Sequence, residues 1–381
     1  MKENKMPALT HRDYLLKILR GEPSPWVPNY ELGCWGQTVE RWFNEGLDPQ
    51  STWIGRADMF EGEPVFKLDR RAFARLDINM YPLYEEEVLS EDERYITARH
   101  TNGVTTKALK EGTVRGTRMT MDTYIDFPVK DTATWQAMKR RYNVHDVGRY
   151  PFWWDEQVHS WQKRDYPVIL MGNGTFGLYS QLRSWVGTEN ISFMFYDNPK
   201  LVEEMLEFAT DFFLELVEPA LNQVQFDYFN FFEDCAGKNS LLFGPNLYKR
   251  FFKKHYDRII QRLNRAGIHS IWVDSDGTPL SLIPCWMDSG VNMHWPLEQA
   301  SGMDPLMLRK KFGKSLCLAG GLDKREIAKG KAAIEKELRT KIPPLLEQGG
   351  YIPHIDHAID PDISWDNMQY YMELKLKLIG R

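Results

Sequence analysis

The feature that most limits the possible folds is a regular alternation of short apolar runs and long amphipathic helices after Pro167. Each apolar run has the length of a strand and ends in polar or charged residues. The predicted strands are, in chain order, PVILMGNGT, FDYFNFFED, IHSIWVDSDG, GVNMHWPLE, SLCLAGGLDK and GGYIPHIDH. Strands that alternate with helices form parallel sheets with right-handed crossovers, and this number of units favours a closed barrel. The chain is therefore predicted to be an α/β protein with a (β/α)8 TIM-type barrel.

The alternative is an open, doubly wound sheet that binds a dinucleotide. The first glycine cluster, GNGTFG, lacks the spacing of the dinucleotide fingerprint and has no acidic partner at the expected strand end. We therefore expect one barrel domain over residues 1–381, starting near Trp26. A β-rich insertion is predicted at about residues 85–125, where ERYITARHTNGVTTKALK alternates around the turn signal Asn102-Gly103.

Composition excludes several classes of function. The formal net charge of -5 and the lack of a basic run argue against nucleic-acid binding. The sequence has no apolar run of about 20 residues and no signal-peptide apolar region, so a cytoplasmic protein without membrane association is expected. Its cysteines are widely spaced without a C-x-x-C pair, so neither a disulfide framework nor a thiolate zinc site is indicated: Cys34, Cys235, Cys285 and Cys317.

Titratable residues close each of the predicted strands. In a barrel the carboxyl ends of the strands meet at one face, so these residues are expected to form one site. So many carboxylates would repel one another unless a divalent cation offsets their charge, and oxygen and nitrogen ligands suit Zn, Fe or Mn. The candidates are Glu233, Asp234, Asp274, Asp276, His294, Glu298, Asp323, His354, Asp356 and His357.

Several of these residues also have a purely structural interpretation. Asp274 or Asp276 could cap the helix that follows, and Asp323 is better interpreted as an N-cap than as a catalytic group. His294 could be a hydrogen-bonded imidazole of the core, and Glu298 could anchor a loop. The density of titratable groups at His354, Asp356 and His357 favours a functional role, in which Asp356 could orient a metal-binding histidine.

Aromatic residues near the start of the chain offer a possible substrate pocket. Trp26, Tyr30 and Trp35 are most simply core residues, but a loop that carries them could also wall an apolar pocket for a flat substrate. Together with His354 and His294 they are the predicted pocket residues.

The order of the motifs FFEDCAG, VDSDG, GGLDK and GGYIPHIDHAIDPDISWDN resembles the uroporphyrinogen decarboxylase superfamily, whose members are (β/α) barrels. In that family a Gly-His-Gly-Ile motif is followed by Pro and, ten residues after the His, by Asn. His357 and Asn367 stand at these positions, and Glu233 replaces the aspartate of the family's Phe-Asp-Ser-Trp-Ala-Gly segment. The resemblance covers roughly residues 10–375.

The chain departs from the decarboxylases in its early loop. PWVPNYELGCWGQ contains none of the arginines with which they bind a multiply carboxylated tetrapyrrole. The sequence is more similar to the branch of zinc-dependent, corrinoid-linked methyltransferases. In that branch a His-x-Cys pair and a later Cys bind the metal, and Asp274, Asp276 and His357 stand at the corresponding positions.

This resemblance implies a specific activity. Oxygen and nitrogen ligands suit polarisation of an oxygen, so the expected reaction moves methyl from a methoxylated, aromatic compound to a cobamide on a separate corrinoid protein. It implies zinc bound by Asp276, His357 and Glu233, with Asp274 as an alternative ligand, and catalytic roles for Glu233, Asp274 and Asp356. A homodimer is a further expectation. The alternatives are a metal-free decarboxylase or lyase acting on a smaller acid, and a noncatalytic barrel that binds a corrinoid or a partner protein.

Overall fold

The computed structural model describes residues 9–50, 65–171 and 176–381. Its helices are α1 (His11–Leu19), α2 (Gly36–Asn44), α3 (Thr132–Lys139), α4 (Trp154–Trp161), α5 (Leu178–Val186), α6 (Thr188–Asp197), α7 (Pro199–Gln223), α8 (Pro245–Leu247), α9 (Lys253–Arg265), α10 (Ile283–Ser289), α11 (Pro305–Phe312), α12 (Lys324–Ala328), α13 (Lys331–Gln348) and α14 (Trp365–Leu378). Its strands are β1 (Ala72–Ala74), β2 (Glu87–Glu91), β3 (Tyr95–Arg99), β4 (Thr105–Leu109), β5 (Thr123–Asp126), β6 (Val168–Leu170), β7 (Tyr228–Phe232), β8 (Ile271–Asp274), β9 (Met293–Trp295), β10 (Cys317–Ala319) and β11 (Tyr351–Ile352).

Seven of these strands form a curled parallel sheet in the order β1-β6-β7-β8-β9-β10-β11. The predicted α/β architecture with a parallel sheet is confirmed, because β6 to β11 follow one another with helices between them. Closure into an eight-stranded barrel stays a prediction. The last four residues of the predicted strand PVILMGNGT lie outside the described residues.

The two faces of this sheet carry different side chains. On one face Tyr228 stacks on Trp272 with ring centroids 4.2 Å apart, and Trp295 meets Trp272 edge-on at 6.3 Å. On the opposite face Phe229 packs against Phe213 of α7 at 5.3 Å. Because successive strand residues point to opposite faces, the first face is the inner face of the curl and the second is the face covered by helices.

A second sheet consists of four antiparallel strands in the order β2-β3-β4-β5. Its register pairs Tyr95 with Leu109 and Arg99 with Thr105, so the turn between β3 and β4 falls at Asn102-Gly103. Gly103 has φ 83°, and a Cβ there would meet the Tyr84 ring at 2.7 Å, which explains why glycine occupies this turn. That this sheet is an insertion into the barrel fold stays a prediction.

The segment of residues 27–34 runs between the chain that precedes β1 and the chain that follows β11. On one side Asp69 N–H donates to the Asn29 carbonyl at 3.0 Å. On the other, Ile359 N–H donates to the Gly33 carbonyl at 2.8 Å, and Cys34 forms a parallel bridge with Ile359.

Within the described residues no helix is long and apolar enough to span a bilayer.

A fully buried ion pair holds this segment in place. Lys375 Nζ of α14 lies 2.5 Å from Glu31 Oε1, and both side chains are 0% exposed. Glu31 also accepts hydrogen bonds from the Tyr371 hydroxyl at 2.6 Å and from Ile355 N–H at 3.1 Å. These three partners are all donors to the carboxylate, which offsets the cost of removing its charge from water.

Replacing Lys375 with methionine should leave the Glu31 carboxylate buried without its countercharge. We expect Lys375→Met to lower the free energy of unfolding by about 3–5 kcal/mol, measured by urea denaturation. The control Lys254→Met removes an exposed ion pair to Glu207 and should cost at most about 1 kcal/mol. Equal losses in the two variants would contradict this account of the segment.

Candidate functional site

Three potential metal ligands meet beyond the carboxyl ends of β8, β9 and β11. Asp276, Glu298 and His357 each offer one ligand atom, and these atoms all lie within 4.8 Å of one another. Asp276 Oδ2 and His357 Nε2 are 3.2 Å apart. The structure thus brings together Asp276 and His357, which the sequence analysis predicted as ligands, and adds Glu298 as the third member.

Gly277 positions Asp276 and Glu298 relative to each other. Its φ is 73°, and a Cβ there would come within 2.5 Å of the Gly237 carbonyl oxygen. The turn can therefore press against the loop after β7 only because residue 277 is glycine. Its N–H donates to Glu298 Oε2 at 2.8 Å, so the residue after Asp276 directly holds the Glu298 side chain.

One carboxylate oxygen of Glu298 accepts hydrogen bonds from the protein. Oε2 accepts from Gly277 N–H and, at 3.3 Å, from the Ser301 hydroxyl. Within the described residues Oε1 has no such bond, so it is available as a ligand. The preceding residue, Leu297, has φ 70°, a left-handed conformation that non-glycine residues rarely adopt and that marks a constrained loop.

His357 is a partly accessible imidazole beside acidic groups. Its side chain is 25% exposed and that of Asp276 is 39% exposed, so one side of the cluster opens to solvent. Burial lowers the pKa of His357, but the hydrogen bond to Asp276 and the charge of that carboxylate outweigh it, and the net pKa is raised. A metal ion or a proton on the imidazole would each relieve this concentration of negative charge.

Glu233 lies on the helix-covered face and binds the first turn of α5. Oε1 accepts from Leu178 N–H at 2.6 Å and from the Tyr256 hydroxyl at 2.7 Å, while Oε2 accepts from Tyr179 N–H at 3.0 Å. Burial raises the pKa of Glu233 to about 7, although each of these hydrogen bonds lowers it. These contacts are those of a helix cap. The metal-binding and catalytic roles predicted for Glu233 stay predictions.

Asp356 connects the two chain segments that carry Glu298 and His357. One oxygen accepts from Gln299 N–H at 2.9 Å and the other from Lys324 N–H at 3.1 Å, at the start of α12. Burial raises the pKa of Asp356 to about 6. The structure places Asp356 as a positioning residue for its neighbours, and its predicted catalytic role stays a prediction.

Asp274 ends β8 on the inner face, two residues before Asp276. Its side chain is buried and forms no hydrogen bond within the described part of the chain. Burial, with the nearby charges of Asp276 and Asp234, raises its pKa well above the usual range. Asp234 itself pairs with Arg183 at 3.1 Å, and Asp323 is the N-cap of α12, as expected.

The two predicted pocket histidines lie on opposite faces of the sheet. His294 faces the helices, where its ring lies 5.8 Å from that of Trp286 in α10. His354 lies on the inner face with its ring 6.0 Å from that of Trp295. Burial lowers the pKa of each imidazole to about 4, so both are neutral at pH 7.

The three predicted pocket aromatics are also separated. Trp26 stacks on His11 at 4.4 Å, beside α1, at the amino end of the strands and away from the cluster. Tyr30 lines an interior cavity of about 10 Å³ together with Trp272, Trp295 and His354, which has room for one water molecule but not for an aromatic substrate. Trp35 donates its backbone N–H to the Ile359 carbonyl at 3.0 Å, just beyond His357.

Comparison with known proteins identifies the family. A family model for uroporphyrinogen decarboxylase (URO-D) matches residues 124–376, more than half of the chain, so the protein belongs to the URO-D family. A methyltransferase from Methanosarcina mazei has a similar structure, with a TM-score of 0.56 and 13% sequence identity over 97% of this chain and 99% of that chain. At that identity the likeness establishes a shared fold. A comparison with curated proteins gives no match.

The contacts of Glu233 predict a structural effect of its mutation. We expect Glu233→Gln to lower the free energy of unfolding by about 2 kcal/mol, because the amide nitrogen would face N–H and O–H donors instead of accepting from them. The exposed Glu203→Gln is the matched control and should change stability by less than about 0.5 kcal/mol. Thermal denaturation of the two variants in parallel measures the difference, and equal stabilities would contradict a capping role.

Proposed function

We propose that this URO-D family protein is a metal-dependent methyltransferase that moves methyl from a methoxylated aromatic compound to the cobalt of a separate corrinoid protein. The observation that carries the proposal is the convergence of Asp276, Glu298 and His357. Family membership and the fold shared with a methyltransferase support it.

We also propose that residues 27–34 take the eighth position of a closed barrel.

The cluster fits a hard or borderline divalent metal, and we propose zinc. Two carboxylates and one imidazole are ligands that zinc accepts, and three protein ligands with an open side are typical of its catalytic sites. The solvent-facing side of Asp276 and His357 leaves such a position. When bound there, the metal would supply Lewis-acid polarisation of the ether oxygen of the methyl donor.

Side chains of the protein would then supply a proton to the product and hold the metal ligands in position. Transfer breaks the bond between methyl carbon and oxygen, the electron pair stays on the oxygen, and cobalt(I) provides the pair for the new bond to carbon. The released aryloxide needs a proton, and we propose that it comes from Asp274, a buried carboxyl group two residues before Asp276. Asp356 would hold the segments that carry Glu298 and His357 in register.

Metal content tests the ligand set. Wild-type protein should bind about one equivalent of zinc, and Asp276→Ala, His357→Ala and Glu298→Gln should each weaken binding about tenfold or more. Glu233→Gln is the matched control for Glu298→Gln and should keep the metal. Loss of zinc in Glu233→Gln but not in Glu298→Gln, measured by plasma mass spectrometry after dialysis, would instead support the ligand set expected from sequence.

Methyl transfer itself is measured by the absorption change of a reduced corrinoid protein when it is methylated. Methoxybenzenes should methylate the cobalt in the presence of the zinc-loaded enzyme, and Asp276→Ala should slow the reaction by about 100-fold or more. Asp234→Asn changes an acid that pairs with Arg183 and should have little effect. Equal rates for wild type and Asp276→Ala would contradict the proposal.

Family membership also favours a second candidate, a decarboxylase or lyase acting on a smaller acid. This reaction would need neither zinc nor a corrinoid protein. Release of carbon dioxide by metal-free enzyme from a carboxylic acid, with no methylation of cobalt, would favour it.

A further inference from the structure

A second candidate site is a pocket of about 640 Å³ beyond the carboxyl end of β1. It lies between the segment of residues 75–83, the β3-β4 turn and α5, and none of its lining residues belongs to the cluster of Asp276, Glu298 and His357. Its volume is in the range of small-molecule sites, and sites often form where two structural units meet, as the two sheets do here.

Two arginines bind the backbone carbonyls of the irregular wall of this pocket. Arg149 is 1% exposed and donates to the Asp77 carbonyl at 3.0 Å and to the Asn79 carbonyl. Arg141 donates to the Pro82 and Leu83 carbonyls at 2.8 and 3.0 Å. A pocket whose wall is already ordered loses less entropy when a ligand binds.

Arg75 brings a positive charge to the wall of the pocket. It is exposed, and its guanidinium forms no hydrogen bond or ion pair with any residue in the described ranges. Among the described lining residues the one carboxylate is that of Asp77, which already accepts from Asn79 N–H at 2.7 Å and from the Tyr81 hydroxyl. Arginine presents paired donors that match the geometry of a carboxylate, so the pocket is equipped for an anionic group at this position.

The rest of the lining suits a flat ring with polar substituents. Buried Leu76, Met80 and Trp185 form its apolar part, and Tyr142 is fixed beside Trp185 by a 3.0 Å hydrogen bond from the indole N–H. Gln181 contributes a side-chain amide without a hydrogen bond among the described residues. An aromatic floor with a few polar groups is typical of sites for planar ligands.

We propose that this pocket binds a small aromatic carboxylate, with the carboxylate at Arg75 and the ring against Tyr142 and Trp185. This inference is independent of the proposed methyl transfer, because the pocket and the cluster share no residue.

Calorimetric titration with 4-hydroxybenzoate and with the neutral analogue 4-hydroxybenzyl alcohol tests the proposal. Wild-type protein should bind the carboxylate about tenfold more tightly, since a hydrogen bond to a charged group is worth more than one to a neutral group. Arg75→Gln should abolish that preference. Arg265→Gln removes the same charge from the end of α9 and should keep it.

Two further variants locate the binding. Ser184→Phe places a bulky side chain in the pocket and should weaken binding of both compounds at least fivefold, whereas Asp276→Ala should leave both affinities unchanged. The proposal is wrong if neither compound binds wild type at millimolar concentration, or if the preference survives in Arg75→Gln. Loss of binding in Asp276→Ala would instead place the carboxylate at the cluster and overturn the pocket. The melting temperatures of the variants should equal that of wild type, which would show that each change in affinity reflects binding and not loss of the fold.

Discussion

The curl of the parallel sheet is the constraint on which the candidate site depends. Asp276 and His357 follow β8 and β11, which are three positions apart in the sheet. In a flat sheet those strands would be about 14 Å apart, yet the two side chains are 3.2 Å apart. The same curvature lets Trp295 on β9 donate to Asn230 on β7 at 2.7 Å across the inner face. Strong curvature therefore turns separate strand ends into one cluster.

The alternation of side chains along a strand decides on which face of the sheet each residue of that strand lies. Asp274, the last residue of β8, has the same parity as inward-facing Trp272 and therefore points to the inner side. Glu233 is one residue beyond Phe232 and therefore faces the helices, where it caps α5. Parity thus assigns residues within a strand, and directly after it, to one face, whereas Asp276, Glu298 and His357 reach the cluster through the loops that follow their strands.

These particulars show what could be predicted from sequence. The strand-helix alternation predicted the parallel sheet, and the strand ends predicted Asp276 and His357. Glu298 was one of the strand-end candidates, but the strand pattern did not indicate it as the third ligand, because its position depends on the backbone at Leu297 and on the N–H of Gly277 in another loop. The alternation of side chains along each strand could have indicated from sequence that Glu233 and His294 face the helices and not the inner side. The position of Trp26 could not be predicted from sequence, because the path of the chain before β1 follows from tertiary contacts such as the buried ion pair of Glu31 and Lys375.

The proposed reaction depends on a divalent metal bound jointly by Asp276, Glu298 and His357. Anomalous diffraction at the zinc edge from crystals of the zinc-loaded protein tests it most directly. We expect one strong peak about 2.0–2.2 Å from a carboxylate oxygen of Asp276, an oxygen of Glu298 and a ring nitrogen of His357. A peak bound by Glu233 and Asp274, or no peak within reach of His357, would contradict it.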